Sequence, residues 1–194
     1  SVTTPPAKVS GVSTAVRSST YLTLSWDKVS GASGYRIYRY NTDAQAYEKV
    51  ITLTSGSTVS YKITGLAAAK EYQFKVRAYR KVDGVTTWGS SSAAYKDSTK
   101  PGQTKSLKAS SKSSAATLKW NKVTRASGYQ VYRYNSKTKK YEKLATVKGN
   151  ATFSYKNTKL KKGTTVKYKV RAYKTYNGTN YYGAFSDIVS IKVK

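Results

Sequence analysis

Gly34-Tyr35-Arg36-Ile37-Tyr38-Arg39-Tyr40-Asn41 returns as Gly128-Tyr129-Gln130-Val131-Tyr132-Arg133-Tyr134-Asn135, and this recurrence decides the architecture of the 194-residue chain. The same offset of 94 residues relates Trp26 to Trp120, Tyr47-Glu48-Lys49 to Tyr141-Glu142-Lys143, and Tyr61 to Tyr155. It also relates Lys75-Val76-Arg77-Ala78-Tyr79 to Lys169-Val170-Arg171-Ala172-Tyr173. Two copies of this length mean a duplicated domain, because solenoid repeats run about 20–50 residues and need three or more copies. The polar stretch Ser98-Thr99-Lys100-Pro101-Gly102-Gln103 marks the boundary and predicts domains at 1–99 and 100–194.

Within each copy the apolar residues alternate with period two. Leu22, Leu24 and Trp26 interleave with Tyr21, Thr23 and Ser25, and Tyr72, Phe74, Val76 and Ala78 with Gln73, Lys75, Arg77 and Tyr79. Each such run is a strand with one buried and one wet face. Asp83-Gly84 and Asn177-Gly178 are hairpin-turn dipeptides between runs, and no helical period is visible. About seven short strands in roughly 95 residues, with one early Trp per copy, predict an all-β chain of two tandem immunoglobulin-like sandwiches without the disulfide.

On these residues the chain resembles the fibronectin type III family over nearly its whole length. Leu24-Ser25-Trp26, Gly34-Tyr35-Arg36-Ile37-Tyr38 and Val76-Arg77-Ala78-Tyr79 match its second, third and sixth strands, and Leu66 with Tyr72 matches its tyrosine corner. Leu118-Lys119-Trp120, Gly128-Tyr129-Gln130-Val131-Tyr132, Leu160 and Val170-Arg171-Ala172-Tyr173 repeat the pattern. Val166 stands where the second corner tyrosine belongs, so apolar packing alone is expected there. The Lys- and Tyr-rich texture is similar to modules of surface and secreted proteins of Gram-positive bacteria, including polysaccharide-degrading ones. That resemblance implies an extracellular location and, as partners, neighbouring domains of the same polypeptide.

The charge is lopsided. Fourteen basic and 6 acidic residues precede Pro101, giving +8, whereas 22 basic and 2 acidic residues follow from it, giving +20. Such a surplus attracts polyanions: a cell-wall polymer, an acidic glycan, nucleic acid or an anionic membrane. The same lysines equally serve to keep a Tyr-rich sandwich soluble. Nucleic acid is the less favoured partner, since no RNA-binding aromatic motif or helix-turn-helix signature is present. No apolar run approaches the ~20 residues of a membrane helix, and neither an initiator Met nor a leader stands at Ser1, so the chain reads as a piece of a larger protein.

Chemistry has little to work with. There is no His and no Cys, so triads, thiolate nucleophiles and zinc-type ligand sets are excluded. The second copy offers Glu142 and Asp187 as its carboxylates, a poor pair for glycoside hydrolysis. The chain is therefore read as non-catalytic, with no metal and no cofactor.

What the alternation does build is a face. Arg36, Tyr38, Tyr40, Lys75, Arg77 and Tyr79 share the outer surface of one sheet, and Gln130, Tyr132, Tyr134, Lys169, Arg171 and Tyr173, joined by Lys167, repeat it. Basic groups among aromatic rings suit an acidic polymer or a neutral polysaccharide, and cross-strand Tyr–Arg pairs also stabilise a sheet with no ligand at all. Trp88-Gly89-Ser90-Ser91-Ser92 and Tyr182-Gly183-Ala184-Phe185-Ser186 loosely resemble the aromatic-x-x-aromatic-Ser ladder of cytokine-receptor modules. That resemblance implies Trp88 and Tyr182 stacked on Arg77 and Arg171; the other reading makes Trp88 an exposed sugar platform. Three functions stay open: a spacer and interaction pair associating with anionic polymer, a carbohydrate-binding accessory of a polysaccharide-degrading system, and a protein-binding adhesin.

Overall fold

A computed structural model describes residues 4–194; Ser1 to Thr3 lie outside the description. The chain divides into two compact units, Ser1–Thr99 and Lys100–Lys194. Each is built of strands, with no helix among the described residues.

The first unit contains β1 (Ser13–Arg17), β2 (Leu22–Ser25), β3 (Gly34–Asn41), β4 (Ala46–Leu53), β5 (Ser60–Ile63), β6 (Glu71–Val82), β7 (Val85–Ser91) and β8 (Tyr95–Ser98). One sheet has the order β1-β2-β5, the other β4-β3-β6-β7, with β8 also on β6. Both β7 and β8 pair with β6, at Arg77–Val82 and Glu71–Phe74 respectively. They are one last strand interrupted at Ser92-Ala93-Ala94, so the sandwich is seven-stranded. The second unit repeats the scheme with β9 (Lys108–Lys112), β10 (Ala115–Lys119), β11 (Gly128–Asn135), β12 (Lys140–Lys148), β13 (Ser154–Asn157), β14 (Thr165–Tyr176), β15 (Thr179–Tyr182) and β16 (Val189–Lys192).

Alternation is realised as the sequence dictates. Leu22, Leu24, Tyr35, Ile37, Phe74, Val76 and Ala78 fill the first core, with Trp26 4% exposed at its centre; Trp120, 3% exposed, takes that place in the second. Each indole packs on a buried tyrosine, Trp26 on Tyr35 at 5.4 Å and Trp120 on Tyr129 at 5.3 Å. The Tyr35 and Tyr129 hydroxyls accept the Val29 and Val123 backbone N–H groups (2.9 and 2.8 Å), so both phenols are buried without an orphaned polar atom. At the β6–β7 and β14–β15 turns, Asp83, Gly84, Asn177 and Gly178 all have positive φ, as a two-residue hairpin turn requires.

The two corners differ. In the first unit the Ala67 N–H donates to the Tyr72 hydroxyl at 2.7 Å. In the second, Val166 packs against the core. The adjoining turn is closed by its own polar groups, the Thr164 hydroxyl donating to the Lys161 carbonyl (2.6 Å) and the Gly163 N–H to the Val193 carbonyl (2.9 Å).

Candidate functional site

The outer face of the larger sheet is built by strict register. In the first unit Gly34 lies opposite Tyr79, Arg36 opposite Arg77, Tyr38 opposite Lys75 and Tyr40 opposite Tyr47. Like charges directly opposed on a sheet destabilise it, and Arg36–Arg77 is such a pair. The Trp88 indole resolves it. The Arg36 and Arg77 guanidinium carbons sit 4.2 and 5.4 Å from the ring centroid, so two cations share one electron-rich ring. Their remaining donors are directed apart, Arg36 Nε to Thr52 Oγ1 (2.9 Å) and Arg77 Nε to the Gly89 carbonyl (2.6 Å).

The interruption of the last strand holds that indole in place. Val76 N–H donates to Ser92 Oγ (3.0 Å) while Ser92 N–H donates to the Val76 carbonyl (2.8 Å). Ser186 makes the same two bonds with Val170, at 3.0 and 2.8 Å. The serine that ends each of these five-residue stretches, Trp88–Ser92 and Tyr182–Ser186, thus closes the ladder where regular pairing stops.

In the second unit Gln130 replaces Arg36, and one guanidinium is enclosed instead of two being shared. The Arg171 guanidinium carbon lies 3.9 Å from the Tyr182 centroid, 4.9 Å from Phe185 and 5.2 Å from Tyr132. Arg171 donates to Gln130 Oε1 from Nε (3.1 Å) and Nη2 (2.9 Å), and to the Tyr132 hydroxyl (2.8 Å), which itself donates to Gln130 Oε1. Below it Lys169 Nζ stands 4.0 Å from Phe185 and 4.5 Å from Tyr141, and Lys167 Nζ 5.9 Å from Tyr134. Alternate residues of β14 therefore interleave with rings from three neighbouring strands. The first unit keeps Lys75 over Tyr47 (4.5 Å) and Tyr40 against Tyr47 (5.2 Å), with Ser91 where the second has Phe185.

Most sequence-assigned residues come together: Arg36, Tyr38, Tyr40, Lys75, Arg77 and Trp88 on one face; Tyr132, Tyr134, Lys167, Lys169, Arg171 and Tyr182 on the other. Tyr79 and Tyr173 are corrections. Both belong to these faces by register, but they are 7% and 8% exposed, too covered to meet a polymer. Each ring lies over the glycine opposite it. A β-carbon on Gly34 would stand 2.7 Å from the Tyr79 hydroxyl, and one on Gly128 2.6 Å from that of Tyr173. The Tyr79 ring also packs on Trp88 at 5.0 Å, and its hydroxyl donates to the Leu53 carbonyl (3.3 Å).

Tyr47, Tyr141 and Phe185 belong to the faces without having been assigned there. Tyr47 and Tyr141 were readable, since both recur with the repeat and their strands follow a short hairpin turn from Tyr40 and Tyr134. Burial and then the neighbouring Tyr134 raise the Tyr141 pKa. Nearby Glu142 is held below the usual carboxylate range by hydrogen bonds from Asn135 and Thr138 and by the Arg133 charge. Among the described residues no group of His, Cys, Asp and Glu is placed to hold a metal, and no helix is long and apolar enough to cross a membrane.

Comparison with known proteins agrees with the fold. Residues 5–93 match the family model described as fibronectin type III domain. Exoglucanase B of Cellulomonas fimi is 28% identical over 184 residues, 88% of this chain but 15% of that protein, so the chain spans a small fraction of the relative it matches. Among solved structures, a two-fibronectin-type-III-domain segment of chicken tenascin superposes with a TM-score of 0.53 at 20% identity, covering 96% of this chain and 98% of that one. At that identity the likeness is one of fold.

Proposed function

We propose that the chain, whose residues 5–93 match the fibronectin type III family and whose second domain repeats that fold, is a non-catalytic spacer and interaction pair of a larger secreted or cell-surface bacterial protein, associating with acidic polymer through its second domain. The observation that carries this reading is that Trp88 and Tyr182, the rings best suited to stack on a sugar, are stacked on arginines of their own sheet. A ring so engaged stabilises the module; to bind a neutral polysaccharide it would first have to surrender that contact. The related stretch in a protein named as an exoglucanase supports a place beside a catalytic domain that acts on polysaccharide.

Attraction to polymer then rests on charge, and the charge is unequal: +8 before Pro101 and +20 from it onward. Each domain closes its own core, so residues 1–100 and 101–194 can be titrated separately against heparin and a neutral β-glucan at low and high salt. Residues 101–194 should carry most of the heparin binding, and it should fall steeply with salt as released counterions cease to drive it. Salt-resistant binding of the neutral glucan would favour the accessory carbohydrate-binding reading. Equal heparin binding by both halves, or none by either, would leave the lysines as a solubility device.

A further inference from the structure

Both domains carry a cleft in the same place, between the turn joining their third and fourth strands and the start of the sixth. It measures about 570 Å³ in the first domain and about 560 Å³ in the second. In the first, Arg39, Lys70 and Lys96 share the walls with two carboxylates, Asp43 and Glu71. In the second, Lys137 stands where Asp43 was, Thr165 where Glu71 was and Lys167 where Gln73 was, while Arg133 repeats Arg39. No carboxylate lines this second cleft among the described residues. The corner tyrosine that lines the first is replaced by Val166, which takes a phenol out of the wall.

We propose that the cleft of the second domain is the seat of an acidic glycan: Arg133, Lys137 and Lys167 hold its carboxylate or sulfate groups, and Tyr134, Asn135 and Thr165 line the space its sugar occupies. This rests on the reading of the second domain as the polymer-binding one, and it moves the contact from the flat outer face into a concave site. Three features of the structure support it. Cations lining a concavity are less screened than cations on a flat surface, so an anion placed among them gains more. The turn that carries Lys137 is fixed, because Asn135 Oδ1 accepts the Lys137 N–H at 2.9 Å and the Thr138 N–H at 3.4 Å. The same turn is held from its other side, where Asn135 Nδ2 donates to both Glu142 oxygens at 3.0 Å and Thr138 Oγ1 to one of them at 2.7 Å.

A glycan is favoured over nucleic acid because one tyrosine, an amide and hydroxyls line the cleft among the cations, the mixture that suits hydroxylated rings bearing isolated charges. The test uses the whole chain and a heparin dodecasaccharide, titrated calorimetrically at several salt concentrations. Arg133→Gln/Lys137→Gln/Lys167→Gln should weaken binding at least about tenfold and lower the slope of log K against log salt by about 2–3, roughly one per lost contact. Lys112→Gln/Lys119→Gln/Lys156→Gln removes the same charge from the other sheet of that domain and should cost no more than about threefold, through long-range attraction alone. Lys137→Asp/Thr165→Glu, which imports the first domain's charges, should also abolish most binding and guards against a misfolded triple variant. Equal loss in the two triple variants would overturn the cleft and leave the domain-level attraction standing. Absence of salt-dependent binding in the unaltered chain would overturn both. Single-stranded oligothymidylate bound as tightly, with the same dependence on the cleft, would overturn the assignment to a glycan.

Discussion

The two domains share a backbone plan and solve the same packing problems with different side chains. In the first, buried polarity sits between the first and last strands, where Arg17 pairs with Asp97 and donates from Nε to the Ser98 carbonyl at 2.8 Å. The second has Ser111 and Ile191 at those positions. Its own buried polarity lies deeper: Asn157 Nδ2 donates to the Tyr168 hydroxyl at 2.8 Å, both side chains being buried, where the first domain has Ile63 and Phe74. The outer faces diverge likewise, with two arginines sharing one indole in the first and one arginine enclosed by three rings in the second. The sandwich therefore prescribes where a polar or cationic group must be satisfied, and each copy supplies the partner from whatever neighbour its own sequence provides.

The sharpest way to break this comparison is at the buried pair. Tyr168→Phe leaves the Asn157 amide buried without its acceptor and should destabilise the second domain by about 1–3 kcal/mol, whereas Asn157→Ile/Tyr168→Phe, which installs the first domain's pair, should restore most of that loss. Urea unfolding of residues 101–194 measures both. If the double variant is no better than the single one, the pair is not an independent polar unit.

The corner comes next. Tyr72→Phe should lower the stability of the first domain by about 0.5–1.5 kcal/mol, the worth of the single hydrogen bond to the Ala67 N–H. An unchanged urea midpoint would mean that this bond is matched by water in the variant.

A smaller effect of opposite sign is expected where the ladder is incomplete. Ser91→Phe gives Lys75 the second ring that Phe185 gives Lys169 and should stabilise the first domain by about 0.5–1 kcal/mol. A loss of stability on thermal unfolding would show that the first face cannot accept the second face's packing.

Much of this was legible before any coordinates. Period-two alternation placed the strands, and the repeat placed the two buried indoles. What alternation cannot tell is whether a residue on the wet face is open or covered. Tyr79 is covered because its register partner is Gly34, and that pairing depends on where two strands distant in sequence meet. The Asn157–Tyr168 pair was equally hidden, since it joins opposite sheets and each residue alone reads as an ordinary interruption of an apolar pattern. The bonds of Ser92 and Ser186 to backbone explain a strand break that composition leaves unmarked.

Alkaline pH gives the smallest contrast. Burial is the largest cause raising the pKa of Tyr95 in the first domain and of Tyr141 and Tyr168 in the second above the ordinary 10.0. A phenol whose folded pKa is raised contributes stability that is fully present below its unfolded pKa and is lost as pH rises through the folded value. Both domains should weaken above pH 10, the second more than the first, and Asn157→Ile/Tyr168→Phe should reduce the second domain's sensitivity. A urea midpoint in that variant falling as fast as in the unaltered domain would assign the loss to groups other than Tyr168.

The claim that the aromatic rings of the faces are consumed by their own sheets is tested most directly by Trp88→Ala, followed by urea unfolding of the first domain. The indole contacts Tyr79 and two guanidinium groups. Its removal leaves Arg36 and Arg77 opposed without the ring that both contact, so the unfolding free energy should fall by about 1–3 kcal/mol. A midpoint that does not move would mean that the ring is free of its sheet and available to a ligand, and would contradict the account.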